Sequence, residues 1–155
     1  MIHIALSASP FDPWQYLADW QAQSALRAGQ FGATAVFVGT MRDFNEGDDV
    51  TAMFLEHYPS MTERQLHELA LQAQQQYTLD AALIVHRVGE ITPAQPIVLV
   101  AVWSAHRAAA FEACRGIMEN LKHQAPFWKR ETLRDGSSRW VESNTSGYLT
   151  NENKA

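Results

Sequence analysis

Residues 97–103 form an uninterrupted apolar run that leads, after a few polar positions, into a segment with one apolar stripe. A strand that is apolar on both faces is typical of the centre of a sheet, where both faces are covered. The stripe in the following segment has helical spacing, at Phe111, Cys114, Ile117, Met118 and Leu121. We therefore expect a central strand followed by a helix whose stripe faces the core.

Four other segments are rich in β-forming residues and are predicted to be strands. They span residues 2–6, 31–40, 50–58 and 81–91. Residues 127–132 and 139–142 are expected to form a hairpin around Asp135-Gly136. Because strands and helices mix without strict alternation, the pattern predicts an α+β fold with a largely antiparallel or mixed sheet.

Two further helices have recognisable start signals. Asp12 is expected to be an N-cap with Pro13 in the first turn, and Ser60 and Glu63 have the spacing of a capping box. Apolar residues follow the helical period after Ser60, at Leu66, Leu69, Ala70, Ala73 and Tyr77. This second helix should therefore have one apolar face.

The length of 155 residues is that of one domain, expected over residues 1–142, with the polar residues 143–155 as a mobile tail. The single cysteine, Cys114, cannot form an internal disulfide, and its place on the apolar stripe predicts a buried thiol. The chain has neither an apolar run long enough to span a membrane nor a signal-peptide pattern at its start. A cytoplasmic protein is expected.

The net charge of −5 argues against a general nucleic-acid-binding protein, since such binding depends on neutralising phosphates with basic side chains. No His-Glu-x-x-His pattern is present, and one cysteine cannot build a thiolate zinc site. A glycine-rich phosphate loop and a dinucleotide-binding fingerprint are also missing. The remaining candidates for chemistry are cationic side chains at the ends of predicted elements.

Two of the three lysines, Lys122 and Lys129, lie seven residues apart around Pro126, Phe127 and Trp128. A lysine amine changes its pKa readily on burial and can act as a nucleophile, a base or an anion-binding cation. The alternative is structural, with one lysine favouring a helix C-terminus and the other in a solvated loop. The two aromatic residues are either walls of a pocket or part of the core.

Three other cations follow predicted strands: Arg42 after residues 31–40, and His106 and Arg107 after the central strand. Free N–H groups at a helix N-terminus attract anions, and adjacent His and Arg side chains add charged donors. His106-Arg107 is therefore a candidate for half of a phosphate or carboxylate site. A loop histidine beside an arginine that pairs with a glutamate is an equal alternative.

A helix from Arg107 to Lys122 would be roughly 23 Å long, at about 1.5 Å per residue. His106 and Lys122 of one chain are therefore too far apart to meet easily at one small ligand. Either they serve different sites, or a second copy brings its His106-Arg107 to these lysines. The second alternative predicts a site across a homodimer interface.

Six blocks between residues 31 and 142 are distinctive in combination. They are Phe-Val-Gly-Thr-Met-Arg-Asp (37–43), Leu-Glu-His-Tyr-Pro-Ser-Met-Thr-Glu (55–63), His-Arg-Val-Gly-Glu-Ile (86–91), Ser-Ala-His-Arg (104–107), Phe-Glu-Ala-Cys (111–114) and Lys-His-Gln-Ala-Pro-Phe-Trp-Lys-Arg-Glu (122–131). Together, in this order, they resemble the family of large, catalytic subunits of molybdopterin synthase. The first thirty residues and the tail match poorly.

The resemblance implies a sulfurtransferase of molybdenum cofactor biosynthesis. Such enzymes convert cyclic pyranopterin monophosphate (precursor Z) to molybdopterin by adding the two sulfurs of its dithiolene. The sulfur arrives as a thiocarboxylate on the C-terminal glycine of a small ubiquitin-like subunit, whose tail enters a pocket of the large one. The implied fold is an α/β hammerhead with an added antiparallel β subdomain. The implied assembly is a heterotetramer with a central homodimer of large subunits.

The resemblance also implies roles for particular residues. The two pocket lysines of the family match Lys122 and Lys129, which are expected to be catalytic. Its anion-binding residues match Arg42, His106 and Arg107, with the His-Arg pair donated by the neighbouring subunit. Lys122 is expected nearest the thiocarboxylate, and Lys129 is expected to act on the pterin. No metal or redox cofactor is implied for this step.

Two other functions would use the same residues. A lysine enzyme that forms a Schiff base with a phosphorylated carbonyl substrate needs the same amines and the same anion-binding side chains. A non-enzymatic scaffold that binds a ubiquitin-like C-terminal tail needs a cationic pocket without pterin affinity. Trapping with borohydride distinguishes the first function from sulfur transfer, and pterin binding distinguishes the second.

Overall fold

The computed structural model describes residues 1–124 and 126–142, so the tail expected at 143–155 lies outside the described residues. The helices among the described residues are α1 (Pro13–Gln23), α2 (Pro59–Tyr77) and α3 (Arg107–Gln124). The strands are β1 (Ile2–Ser7), β2 (Ala33–Thr40), β3 (Phe44–Asn45), β4 (Asp48–His57), β5 (Ala81–Arg87), β6 (Gly89–Ile91), β7 (Pro96–Ser104), β8 (Phe127–Leu133) and β9 (Ser138–Val141).

The first sheet has the strand order β1-β5-β7-β2. Strand β1 runs parallel to β5, whereas β7 is antiparallel to both β5 and β2, so the sheet is mixed. Every residue of β7 from Val98 to Trp103 is at most 4% exposed. The prediction of a central strand covered on both faces is therefore confirmed.

Helices cover both faces of the first sheet. On one face α2 and α3 pack through Leu66 and Ile117 against inward residues of the strands, such as Ile84. On the other face α1 packs through Leu17 and Trp20 against a second cluster that includes Leu83, Leu99 and Trp103. Successive strand residues point to opposite faces, which is why neighbouring residues of β5 enter different clusters.

The second sheet has the order β3-β4-β8-β9, and β6 pairs with β4 beside it. All its pairings are antiparallel. Its inner face encloses a third cluster, formed by Met41, Val50, Met53, Leu55 and Ile91. The mixed α+β fold with an added antiparallel sheet, expected from the sequence, is confirmed. The expected hairpin is also confirmed, with Gly136 at φ +86° in the β8–β9 turn.

Two predictions about the bounds of elements are wrong. Residues 81–91 form two strands rather than one, because Gly89 adopts φ +75° and the chain passes there from the first sheet to the second. Helix α2 begins at Pro59 with Tyr58 as its N-cap and no side-chain capping bond, so Ser60 lies inside the first turn and no capping box forms. The Asp12 cap of α1 is confirmed, since its Oδ1 accepts hydrogen bonds from the N–H groups of Trp14 and Gln15.

Phe111 was expected on the core-facing stripe of α3, but its side chain is 68% exposed. The buried residues of α3 are Ala110, Ala113, Cys114, Ile117, Met118 and Leu121. Phe111 lies roughly 90° around the helix from the centre of that face, at 3.6 residues per turn. It is therefore just outside the packed surface. Cys114 is buried as predicted.

The contrast on α3 can be measured as a difference in stability. Ile117→Ala removes a side chain that is 1% exposed and should lower the free energy of unfolding by about 2–5 kcal/mol. Phe111→Ala, on the same helix, should change it by less than about 0.5 kcal/mol. Urea denaturation followed by circular dichroism measures both. Equal losses for the two variants would contradict the exposed position of Phe111.

Candidate active site

Lys122, Lys129 and Arg42 come from three different elements and meet at the junction of the two sheets. Lys122 lies in the last turns of α3, Lys129 lies in β8, and Arg42 follows β2. All three line a small cavity of about 110 Å³ and an adjoining large cavity of about 810 Å³. The structure therefore brings together three of the five site residues predicted from the sequence.

The end of β2 directs Arg42 into this junction. The register of β2 against β7 shifts between Gly39 and Thr40, and such an irregularity bends the strand. A Cβ atom at Gly39 would lie 2.8 Å from Cγ1 of Val98, which is too close for any larger residue without movement. The Arg42 guanidinium then lies over the ring of Phe44, with Cζ 4.9 Å from the ring centre. This cation–π contact holds an otherwise exposed side chain.

Strand β8 directs Lys129 inward by simple alternation. Glu131 is on the same face and is only 4% exposed, whereas Trp128 is 43% exposed on the other. The Glu131 carboxylate lines the small cavity and accepts hydrogen bonds from Asn45 Nδ2 at 2.7 Å and Arg139 Nε at 3.2 Å. Glu131 was not singled out from the sequence. Its spacing of two residues from Lys129 in a predicted strand was the available signal.

The pKa of each lysine amine is lowered, chiefly because partial burial removes water that would stabilise the ammonium. The Arg42 charge lowers the pKa of Lys122 further, and the Lys122 charge does the same for Lys129. Glu119 and Glu131 act in the opposite direction on Lys122 and Lys129, respectively. These amines are therefore suited to attracting anions, and their lowered pKa makes them better able to give up a proton than an exposed lysine.

His86 was missed in the sequence, where a histidine inside an apolar strand was the only signal. It lines the large cavity, and its ring stacks on Phe127 with centres 4.1 Å apart. Its Nδ1 lies 2.7 Å from the Arg87 carbonyl oxygen, so Nδ1 carries the hydrogen and Nε2 is an acceptor. Burial lowers the pKa of His86 to about 4, with smaller contributions from Lys122 and Lys129. The site therefore contains a neutral imidazole beside two amines.

Phe127 and Trp128 both line the large cavity, as the pocket-wall alternative predicted, and Phe127 also packs against two of the hydrophobic clusters, as the core alternative predicted. Trp128 makes an edge-to-face contact with Tyr58, with ring centres 5.2 Å apart. Aromatic side chains held by other rings give a wall with few accessible conformations. The large cavity is therefore lined by three cations together with mainly apolar and aromatic side chains.

His106 and Arg107 lie at the opposite end of α3, are exposed and line neither cavity. Within one chain the structure does not bring them to the lysines, in agreement with the helix length estimated from the sequence. Among residues 1–124 and 126–142, no cluster of three or more His, Cys, Asp or Glu side chains could hold a metal ion. No helix in these same ranges is long and apolar enough to cross a membrane.

Comparison with known proteins identifies the family. The sequence profile of the MoaE protein family matches residues 7–124. This chain belongs to the MoaE family. One curated relative, the molybdopterin synthase catalytic subunit of Pseudomonas aeruginosa, is 47% identical over 143 residues, which cover 92% of each chain. The resemblance deduced from the six sequence blocks, and the sulfurtransferase class that it implied, are thereby confirmed.

Solved structures of MoaE-family proteins have the same fold as this chain. The molybdopterin biosynthesis MoaE protein from Burkholderia ambifaria superposes with a TM-score of 0.76 at 41% identity, covering 94% of this chain and 92% of that chain. A molybdopterin synthase from Staphylococcus aureus also superposes with a TM-score of 0.76, at 28% identity, covering 90% and 95%. The two-sheet architecture is therefore that of MoaE proteins.

The buried His86 predicts a pH dependence of stability. Because its folded pKa of about 4 lies below the unfolded value of 6.5, the unfolded state binds more protons between these values, and stability falls as pH falls through this window. From pH 7 to pH 4 this group should cost about 3 kcal/mol of unfolding free energy. His86→Leu should remove that part of the loss.

Urea denaturation of the wild type and of His86→Leu at pH 7 and pH 4 measures how much unfolding free energy each protein loses on acidification. His67→Gln, on the exposed face of α2, is the matched control for removal of a histidine. If His86→Leu and the wild type lose the same stability on acidification, the assignment of a buried, neutral imidazole to His86 is wrong.

Proposed function

We propose that this chain is the catalytic subunit of a molybdopterin synthase. It transfers two sulfurs from the C-terminal thiocarboxylate of a small ubiquitin-like subunit to cyclic pyranopterin monophosphate, which produces the dithiolene of molybdopterin. The observation that carries the proposal is the convergence of Lys122, Lys129 and Arg42 at two joined cavities in a member of the MoaE family. The reaction is assigned to the cytoplasm.

The charges and the shape of the site fit both substrates. The thiocarboxylate and the pterin phosphate are anions, and three cations can make charge-assisted hydrogen bonds to them. The large cavity, of about 810 Å³, has the volume for a small ligand together with the end of a peptide tail. Holding the sulfur donor beside the pterin makes the transfer effectively intramolecular.

The two lysines have different surroundings, which supports different roles. Lys122 acts next to the thiocarboxylate, where its ammonium stabilises the charge that develops on the acyl oxygen. Lys129 acts on the pterin or its intermediate, and the buried Glu131 on the same strand face supports its charged form. The lowered pKa of both amines also permits proton transfer.

The exposed pair His106-Arg107 is assigned to the site of a second copy. A central homodimer, with a small subunit at each far end, brings the pair of one copy to the lysines of the other. The length of α3, 18 residues, supports this arrangement because it separates the pair from the lysines of its own chain. The partner's pair then binds the substrate phosphate with Arg42.

The catalytic assignment predicts the effect of removing either amine. Lys122→Ala and Lys129→Ala should each lower the rate of molybdopterin formation at least about 10²-fold, as expected for loss of one charge-stabilising or proton-transferring group. The assay supplies thiocarboxylated small subunit and the cyclic pterin monophosphate. Arg64→Ala, which removes an exposed cation from α2, is the control and should keep the wild-type rate. Wild-type rates in both lysine variants would show that the assignment is wrong.

The composite site predicts complementation between two inactive chains. A heterodimer of one Arg107→Ala chain and one Lys122→Ala chain has one site with both residues intact and one site with neither. Differently tagged chains, refolded together and purified through both tags, should therefore regain activity that each mutant homodimer lacks. Purified heterodimers without activity would contradict a site shared between copies.

A further inference from the structure

Arg87, the last residue of β5, is buried in a way that needs an explanation. It is 1% exposed, yet no salt bridge to it is formed among the described residues. Its guanidinium instead donates hydrogen bonds from Nη2 to the Glu90 carbonyl oxygen at 2.6 Å and from Nη1 to Gln95 Oε1 at 3.3 Å. Burying a guanidinium without a carboxylate is costly, and an apolar side chain would fill this space at lower cost. What this arginine supplies that an apolar residue could not is its hydrogen bonds to the segment of residues 90–95.

Gln95 extends this contact into the turn that precedes β7. Its Oε1 also accepts a hydrogen bond from the Thr92 N–H at 3.1 Å, and its own N–H donates to the Thr92 carbonyl oxygen at 3.1 Å. Inside this turn Ala94 has φ +71°, a conformation that residues other than glycine rarely adopt. Such a conformation persists where surrounding contacts impose it, and Arg87 and Gln95 supply those contacts here.

The turn holds Met41 from both sides. The Met41 N–H donates to the Gln95 carbonyl oxygen at 2.9 Å, and the Ala94 N–H donates to the Met41 carbonyl oxygen at 2.9 Å. Met41 itself is 6% exposed in the third cluster. The next residue is Arg42. A continuous set of hydrogen bonds thus connects the buried guanidinium of Arg87 to the backbone that carries the site arginine.

Arg42 has a physical need for such an anchor. Its side chain is exposed, and the nearby Lys122 and Lys129 repel it, since each pair of like charges favours separation. The Phe44 ring contacts the guanidinium from β3, whose pairing with β4 anchors the segment on the C-terminal side of Arg42. Next to it, the Asp43 carbonyl oxygen accepts a hydrogen bond from Val50 N–H at 2.8 Å. On the N-terminal side of Arg42, the anchor is the pair of hydrogen bonds between Met41 and the turn that Gln95 stabilises.

We propose that Arg87 and Gln95 are positioning residues, which hold Arg42 through Met41 in the place where it binds the phosphate of the substrate. The identity of the anion rests on the proposed function, whereas the connection to Arg42 rests on the contacts alone. The effect should appear in substrate affinity rather than in the chemical step, because the lysines are carried by other elements. Gln95 is the residue to change, since it is only partly buried.

The test compares two substitutions of Gln95. Gln95→Leu removes the acceptor at similar size, whereas Gln95→Glu keeps an acceptor oxygen for Arg87 and for Thr92 N–H. Gln95→Leu should raise KM for the pterin about tenfold or more, with kcat within about twofold, as for loss of a binding contact. In Gln95→Glu, KM for the pterin should stay near the wild-type value. Gln75→Leu, on the exposed surface of α2, is the matched control.

A double-mutant cycle separates positioning from general structural damage. In an Arg42→Ala background, Gln95→Leu should add little to KM, because the residue through which it acts is already gone. A KM penalty of undiminished size in that background would overturn the proposal. So would equal changes in kcat and KM.

Hydrogen exchange gives a readout that does not depend on activity. In Gln95→Leu the amide of Met41 should exchange faster than in the wild type and in Gln95→Glu, while amides of β5 keep their protection. Unchanged exchange at Met41 would overturn the connection even if the enzyme is active. A wild-type chain that forms no molybdopterin would instead count against the proposed function, and the exchange result would still decide the connection.

Discussion

Arg42, Lys122 and Lys129 carry like charges into one partly dehydrated site, and the fold must hold them against their repulsion. The free energy for this comes from elements that are packed elsewhere. Helix α3 is fixed by its buried face on the first sheet, β8 by its pairing with β4, and the end of β2 by its pairing with β7. Each cation thus stands at the end or edge of an element whose position is determined by apolar burial. Repulsion between the charges cannot then be relieved by moving apart.

The same arrangement makes the site responsive to anions. Partial burial and neighbouring cations lower the pKa of both lysines, so an arriving anion would favour their charged forms. The neutral imidazole of His86 adds no further positive charge to the large cavity at physiological pH. The Glu131 carboxylate offsets part of the positive charge on Lys129. It is held in place by hydrogen bonds from Asn45 and Arg139. The site therefore combines strong attraction for anionic substrates with amines that can exchange protons.

Much of the fold could be predicted because it follows from local patterns. The central strand, the apolar faces of α2 and α3, the Asp12 cap and the β8–β9 hairpin each follow from the spacing of a few residues. The errors arose where the tertiary structure chose between local options. Gly89 breaks a continuous β pattern because the chain changes sheets there. Phe111 has nearly the right helical phase, but it lies just outside the face of α3 that packs against the core, and its side chain is 68% exposed.

The sequence by itself determined the family, the elements and the scarcity of lysine that points to Lys122 and Lys129, since these depend on residue types and short spacings. It also determined that His106-Arg107 could not easily reach Lys122 within one chain, because the rise of a helix is constant. The family resemblance also assigned Arg42 to the site of these lysines, and the tertiary structure places all three at the same cavities. Only the tertiary structure decided that Glu131, His86 and Phe44 line these cavities as well. The hydrogen-bond network from Arg87 through Gln95 to Met41 is likewise visible only in the tertiary structure. It joins residues far apart in the chain, and no periodicity records which loop a buried side chain will contact.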